Sequence, residues 1–433
     1  MIAILKDSKN INKLFFTGAD CFILALEKHN QHQGASGNTC RYVLELDGKL
    51  DATFFKKKIN QNKILQQLSS LSIHRKSLLS KARWKSNTVK DIEVNTHESD
   101  LFLPNHILTK NFSIDESNLF SFDIINRSNG NSCLILSWHH LLMDGYGSVL
   151  LLKQIVGSNK ILLSTEEEKV RFNFKNIQRA AKAKFFIDKT SKNELSGITS
   201  NVNATSVTQK IKIINFTTEE TIKIEHNALK LGAKFGVSPL YLACSANTVK
   251  QILEQRNIPV KNFWIPVPQN KRKKGSQFPL LSNHISFLFY RIISKELTSL
   301  KQTVTSINNQ MVNQIRAGLP KAYDVLLSLL KRIPSSLYYQ LIKRPKGNSL
   351  ASFLFTIAEE HPQDLLKFEG LNVINALSIP PNNFNPGLTF AFMKFNNCIQ
   401  IMILSFEEIL SEKEIANLET QLKHELITGK SLN

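Results

Sequence analysis

The clearest order in the chain is a switch between two hydrophobic periods. In "RYVLELDGKLDATFFKKKI" (41–59), Tyr42, Leu44 and Leu46 alternate with other residues, although Val43 breaks the strict pattern, and this predicts a strand. A turn at Asp47-Gly48 follows, and then Leu50, Phe54, Phe55 and Ile59 recur at helical spacing. The polar stretch through Thr96 reads as helix and then strand. Residues 119–138, "LFSFDIINRSNGNSCLILSW", hold two β-rich runs around Ser128-Asn129-Gly130-Asn131, where Asn-Gly supplies the positive φ angles of a tight hairpin. The second run, "SCLILSW", is apolar on both faces, which predicts a central, buried strand. It leads straight to His139 and His140. After Gly147, "SVLLLKQIVG" has a helical pattern that ends in Gly157.

Residues 158 to about 206 read as a crossover. "EEEKVRFNFKNIQRAAKAKFF" (166–186) begins acidic and turns basic, as a helix dipole prefers, and a Ser/Thr/Asn-rich loop follows. Beyond it, Thr217 and Glu220 fit a capping box. Ser238 and Pro239 fit the N-cap and first position of a helix whose apolar face is Leu240, Leu242, Ala243, Ala246 and Val249. "NFWIPVP" and "HISFLFYRI" are strand-like. "LTFAFMKFNNCIQIMILSF" (388–406) is a hairpin turning at Asn396-Asn397, and "SEKEIANLETQLKHEL" is a closing amphipathic helix. Strands and helices alternate in both parts, so the expected class is α/β, or α+β in two-layer sandwiches. The expected division is 1–165, a crossover over 166–206, and 207–433.

With 433 residues the chain suits two domains of roughly 150 to 220 residues. Its 42% hydrophobic content supplies real cores, and 21% charged residues is a globular value. The formal charge of +20 favours polyanions: nucleic acid, anionic lipid, coenzyme A phosphates or an acidic carrier protein. No RNP motif, zinc-finger spacing or basic zipper accompanies that charge, so no nucleic-acid partner is expected. The five cysteines are widely spaced without a CxxC, which points to reduced thiols in a cytoplasmic protein and to no metal site. The first residues hold only a short apolar run before Lys6 and Asp7, and no stretch of about 18 uninterrupted apolar residues predicts a membrane-spanning helix. "YDVLLSLLKRIPSSLYYQLIKR" (323–344) mixes apolar, tyrosine and basic residues and fits either core helices or peripheral contact at the inner membrane surface.

"SWHHLLMDGYG" (137–147) places two imidazoles where the buried strand stops, and an aspartate four residues after the second. Imidazole is the side chain best suited to exchange a proton near neutral pH. Gly145 and Gly147 allow close backbone approach and unusual φ angles. Taken singly, a histidine at a strand end and an Asp-Gly turn are ordinary structure; the longer order, strand then HHxxxDGxG then apolar helix, is what singles the segment out.

That arrangement resembles the superfamily of chloramphenicol acetyltransferase, nonribosomal peptide condensation domains and wax ester synthase/diacylglycerol acyltransferases, whose signature HHxxxDG is matched by His139, His140, Asp144 and Gly145. "LFFTGADCFILALE" (14–27), "LELDGKLDATFF", "GVSPLYLACSANTVKQIL", "WIPVPQNKR" and "LLSNHISFLFYRI" look like further family segments, in order. The resemblance implies two similar halves with a tunnel between them and His140 at its centre as general base. An acyl group would pass from a coenzyme A or carrier-protein thioester to a hydrophobic alcohol or amine, in lipid or secondary-metabolite assembly. It implies a structural salt bridge from Asp144 to an arginine, a structural His139, room at the reacting centre from Gly145, and Asn283 or Ser286 as donors to the oxyanion or substrate. It implies no metal or redox cofactor. "NKRKKG" (270–275) could meet coenzyme A phosphates or an acidic carrier helix. The DFGWG motif of plant acyltransferases is missing, and so is the proline-arginine pattern common after the first helix. Two other readings stay open: a non-catalytic module of the same fold that docks a carrier protein or lipid, and a basic nucleic-acid-binding protein.

Overall fold

A strand that is apolar on both faces needs a hydrophobic layer on each side. The run after the first hairpin meets that need, since Ser132–His139 is buried along its whole length. The computed structural model describes residues 14–32, 38–74, 82–115, 118–157, 163, 170–199, 208–331, 333–342 and 349–432. In chain order it holds α1 (Gly18–His32), β1 (Thr39–Leu46), α2 (Ala52–Gln61), α3 (Lys63–Ser69), β2 (Leu71–His74), β3 (Arg83–Ser86), β4 (Val94–Glu98), α4 (Asn105–Leu108), β5 (Phe120–Asn126), β6 (Ser132–His139), α5 (Gly145–Ile155) and α6 (Phe174–Ser191). There follow β7 (Gln209–Asn215), α7 (Thr218–Lys230), α8 (Ser238–Gln255), β8 (Asn262–Asn270), β9 (Ile285–Ile293), α9 (Leu300–Arg316), α10 (Leu319–Leu330), α11 (Ser335–Ile342) and β10 (Leu354–Ile357). The chain closes with β11 (Lys367–Phe368), β12 (Leu371–Ile379), β13 (Leu388–Phe395), β14 (Cys398–Phe406) and α12 (Glu412–Thr428).

Two main sheets carry the two halves. The first has the order β11-β12-β1-β6-β5-β4 and the second β10-β13-β14-β7. Leu134, Leu136 and Trp138 of β6 enter the first core, with Phe55 of α2 and Leu150 and Leu151 of α5. Cys133 and Ile135 point the other way, into a layer that also takes Val43, Leu377 and Ile379 from the first sheet and Ala391, Met393, Met402 and Leu404 from the second. The sheets are thus glued back to back by alternate residues. Sheet membership does not follow the expected division at residue 207: β12 lies antiparallel to β1, pairing Ser378 with Tyr42, so the later stretch completes the earlier stretch's sheet.

The separate pair β8–β9 packs beside β10, and its buried residues join the core of the second sheet. Its free edge is closed by side chains. Gln314 of α9 accepts from Phe289 N (3.0 Å) and donates to Phe289 O (2.8 Å), and Gln310 does the same at Arg291 (2.9 and 2.8 Å). Amides four apart on a helix thereby satisfy groups two apart on an edge strand, which leaves less edge open to other chains.

Several local expectations take a different form in the structure. The first hairpin does not put both residues of Asn129-Gly130 at positive φ. Arg127 N donates to Asn131 O (2.9 Å), and within 128–131 only Gly130 has a positive φ, 85°. The second hairpin does use both asparagines, Asn396 at φ 47° and Asn397 at φ 61°, with Phe395 opposite Cys398. Thr217 and Glu220 form the capping box of α7. Ser238 does not cap α8; Val237 occupies that position without a side-chain bond, and Ser238 is already helical. Helix α6 begins at Phe174 behind Asn173, which accepts from Asn176 N, and the acidic start at 166–168 lies outside the described residues. Of 323–344, Tyr323, Val325 and Tyr338 are buried, while Leu337 and Leu341 are exposed. Among the described residues no helix is long and apolar enough to cross a membrane.

Candidate active site

At the end of β6 the two histidines part company. His139 is fully buried. Its Nδ1 accepts from Leu141 N (3.1 Å), and its Nε2 lies 3.4 Å from Glu27 of α1, whose carboxylate also takes both nitrogens of Asn38 at 3.0 Å. Burial alone would raise the Glu27 carboxyl; His139 and Asn38 outweigh it and hold it below the usual range. His139 therefore fastens α1 to the strand end and does not face the cavity.

His140 does. Its N–H donates to Asn38 O (2.7 Å), and its carbonyl accepts from Asn283 Nδ2 (2.7 Å). It lines a cavity of about 150 Å³ with Cys40, Tyr42, Trp138, Gly145 and Ser378. Its Nδ1 is buried without a hydrogen-bond partner, which leaves Nε2 as the nitrogen that can reach a bound molecule. Burial pulls its pKa below the ordinary imidazole value, against smaller raising effects from its own carbonyl, Asp144 and the Asn283 side chain. A neutral imidazole at neutral pH has a lone pair ready to take a proton.

Asp144 works on three elements at once. Its Oδ1 accepts from Gly147 N (2.9 Å) and caps α5; its Oδ2 accepts from Arg272 Nη1 (2.7 Å) and from His284 N (2.8 Å). Arg272 is the second R/K of "NKRKKG", so part of that basic run is spent inside the protein. Its remaining donors hold Pro279 O, and its guanidinium lies 5.3 Å from the Tyr146 ring centroid. Gly145 and Gly147 both keep φ out of the left-handed region, contrary to expectation. The close approach is at Gly147, where a Cβ would fall 2.6 Å from Leu280 O; at Gly145 it would meet only Ser378 Oγ, at an ordinary 3.6 Å.

The two expected oxyanion donors are already committed. Asn283 Nδ2 gives its hydrogens to Asp20 Oδ1 (2.8 Å) and to His140 O. Ser286 Oγ donates to Pro320 O (3.1 Å). Asn283 instead holds the backbone of His140, and Asp20 holds Asn283 through its N–H (2.8 Å) as well as its amide. Burial raises the Asp20 carboxyl to about 6 despite these donors. Sequence reasoning missed Asp20, Glu27, Asn38 and Arg272. Only Asp20 carried a local signal, a Thr-x-x-Asp start to α1 in which Thr17 and Asp20 bond each other reciprocally (2.8 and 3.1 Å).

A second cavity, about 460 Å³, lies on the far side of this framework and is lined by Thr17, Arg179, Phe278, Asn283, Lys321 and Asp324, among others. Ile285 lines both cavities, Asp144 faces the smaller and Arg272 the larger. The two cavities share the wall at Ile285, the Asp144–Arg272 pair reaches from one to the other, and His140 lines the smaller. Among the described residues no cluster of three or more His, Cys, Asp or Glu side chains could hold a metal ion.

No known family pattern and no curated protein sequence matches the chain. Solved structures do. The first condensation domain of the calcium-dependent antibiotic synthetase, in complex with a substrate analogue, is 11% identical over 96% of this chain and 95% of that one, with a TM-score of 0.66. TRI3 trichothecene 15-O-acetyltransferase from Fusarium sporotrichioides is 12% identical over 96% and 95%, with a TM-score of 0.68. The starter condensation domain of rhizomide synthetase RzmA, in complex with C8-CoA, is 12% identical over 97% and 96%, with a TM-score of 0.62. The chain therefore shares the fold of these condensation domains and of this acetyltransferase.

Proposed function

We propose that the protein is an acyltransferase that moves an acyl group from a coenzyme A or carrier-protein thioester to a hydroxyl or amine, with His140 as general base. The observation that supports the reading is the place of His140: an imidazole kept neutral by burial, with Nδ1 buried, lining a cavity whose wall at Ile285 and the Asp144–Arg272 pair borders a second, larger one. In the step we infer, Nε2 takes the proton of the acceptor O–H or N–H as the nucleophile attacks the thioester carbonyl. The tetrahedral oxyanion then collapses, the C–S bond breaks, and the leaving thiolate recovers the proton from the imidazolium. General base catalysis of this kind is worth about two to four orders of magnitude, and holding both substrates in place adds to it.

On this reading Asp144, Arg272, Asn283 and Asp20 are positioning residues, and His139 anchors the strand end. Gly145 keeps the cavity beside His140 open. Coenzyme A phosphates or an acidic carrier helix suit the net charge of +20. A hydrophobic acyl chain or acceptor, a cytoplasmic setting and a place in lipid or secondary-metabolite assembly complete the proposal; neither a metal nor a redox group takes part in it.

The test is product formation. Purified protein and its His140→Ala variant are incubated with panels of acyl-CoAs or acyl carriers and of alcohols or amines, and products are read by mass spectrometry. A new ester or amide that disappears in a folded His140→Ala protein is the expected result. Equal turnover by that variant would remove His140 as the base, and thioester binding without turnover would favour a non-catalytic module of the same fold.

A further inference from the structure

Helix α6 is amphipathic on its inner side and apolar again on its outer side. Inward, Ala183 is buried with Trp264, Leu319 and Tyr323, and Phe186 and Ile187 pack against that cluster. Outward, Phe174, Ile177, Ala181 and Phe185 fall at i, i+3, i+7 and i+11, one stripe of a helix. Phe174 is 74% exposed, Phe185 69% and Ile177 41%, and Phe172 just before the helix is 66% exposed. The inner face already fills the core, so this stripe has no folding role left to it.

The charge around the stripe has one sign. Between Arg171 and Lys189 there are six cations and one carboxylate, Asp188, which Lys184 already pairs at 2.6 Å. Lys175, Lys182 and Lys189 follow one flank of the stripe, all exposed. The same helix borders the larger cavity: Asn176 and Arg179 line it, together with the partly exposed Phe278.

We propose that this face of α6 docks the protein on an anionic lipid surface, with Phe174, Ile177 and Phe185 entering the boundary between headgroups and acyl chains and the flanking lysines against the headgroups. Aromatic residues on a convex face with lysines beside them are the pattern of a helix lying in a membrane interface. A protein partner fits less well, since a specific interface covers about 800 Å² on each side, more than four side chains of one helix offer. Docked this way, the protein stays at the lipid surface, where a hydrophobic acyl substrate is concentrated. The use of the docking rests on the acyl-transfer reading; the docking itself does not.

The experiment is flotation of the full chain with vesicles of phosphatidylcholine alone and of phosphatidylcholine with phosphatidylglycerol. The wild-type protein is expected to float with the anionic vesicles and not with the neutral ones. Phe174→Ser/Phe185→Ser and Lys175→Glu/Lys189→Glu are each expected to lower that partition by about tenfold or more. All four residues are exposed, so circular dichroism and the thermal midpoint stay unchanged. His140→Ala is expected to float like the wild type, which separates this inference from the catalytic one. Wild-type protein that stays behind with anionic vesicles, or phenylalanine variants that float undiminished, would overturn the docking. So would Phe174-dependent binding to an acidic carrier protein by a chain that ignores the vesicles.

Discussion

Arg272 Nη1 lies 2.7 Å from Asp144 Oδ2, across 128 residues of chain, and this pair joins the turn after β6 to the loop between β8 and β9. Both side chains are nearly excluded from solvent, 2% and 7% exposed. Burial works to raise the Asp144 carboxyl, and Arg272 outweighs it, so the group stays ionised below the usual carboxylate range. Removing one partner of such a pair strands the other charge, at a cost of about 3–5 kcal/mol. Arg272→Ala is therefore expected to lower the thermal midpoint sharply. Arg272→Lys restores a charge but cannot also hold Pro279 O, and recovers only part of the loss. The double variant Asp144→Asn/Arg272→Ala, measured by denaturant unfolding, is expected to lose less than the two single variants together, because neither charge is then left buried alone.

Asn283 is expected to behave as a positioning residue. Asn283→Ala frees the His140 carbonyl and removes one donor from Asp20 Oδ1, which keeps the bond from the backbone N–H of residue 283. A small misplacement of a catalytic group costs up to about a hundredfold in rate, so kcat should fall with little change in KM. Because the Asn283 side chain raises the His140 pKa, its removal should also move the acid limb of the pH–rate profile to lower pH, a shift that loss of stability alone does not produce.

The two glycines of the loop should answer differently to alanine. At Gly147 the new Cβ would stand 2.6 Å from Leu280 O and 2.8 Å from Met143 Cβ, and a backbone carbonyl has little freedom to yield. Gly147→Ala should destabilise by about 1–3 kcal/mol, as overpacking does. At Gly145 the nearest atom is Ser378 Oγ at 3.6 Å, so Gly145→Ala should fold with a near-normal midpoint. Its methyl group would narrow the cavity beside His140, and the effect should appear as a raised KM for bulky substrates.

His284 makes stability depend on acidity. Burial first, and Arg272 second, bring its pKa down to about 4, while an unfolded histidine titrates near about 6.5. Between those values the unfolded chain binds the extra proton and the folded chain does not, so stability falls as pH falls. Asp20 acts in the opposite sense, since its folded value of about 6 lies above that of an unfolded carboxyl and favours the folded state in mild acid. Thermal midpoints taken from pH 7 down to about 4.5 should therefore drop less in His284→Gln than in the wild type, because the glutamine amide can still donate to Leu281 O.

What the sequence determined by itself was local. The apolar run of β6, the Asn396-Asn397 turn and the Thr217–Glu220 capping box are each set by a few neighbouring side chains and their own backbone, and each is in place. His140 and Asp144 stood out for the same reason, since they share one short loop. Where a local rule failed, as at Ser238, a neighbouring residue took the position, and tertiary burial of α8 needed no side-chain cap to hold it. The tertiary structure alone decided which cation of a basic run meets Asp144, and that Asn283 gives its amide to Asp20 and to His140 O, 263 and 143 residues away. It alone carried β12 into the sheet of the earlier stretch. Composition cannot choose among Arg272, Lys271 and Lys273, because they differ less in chemistry than in where folding puts them. Buried charges and amides accept only partners whose geometry satisfies them, and that geometry exists only once distant segments have packed.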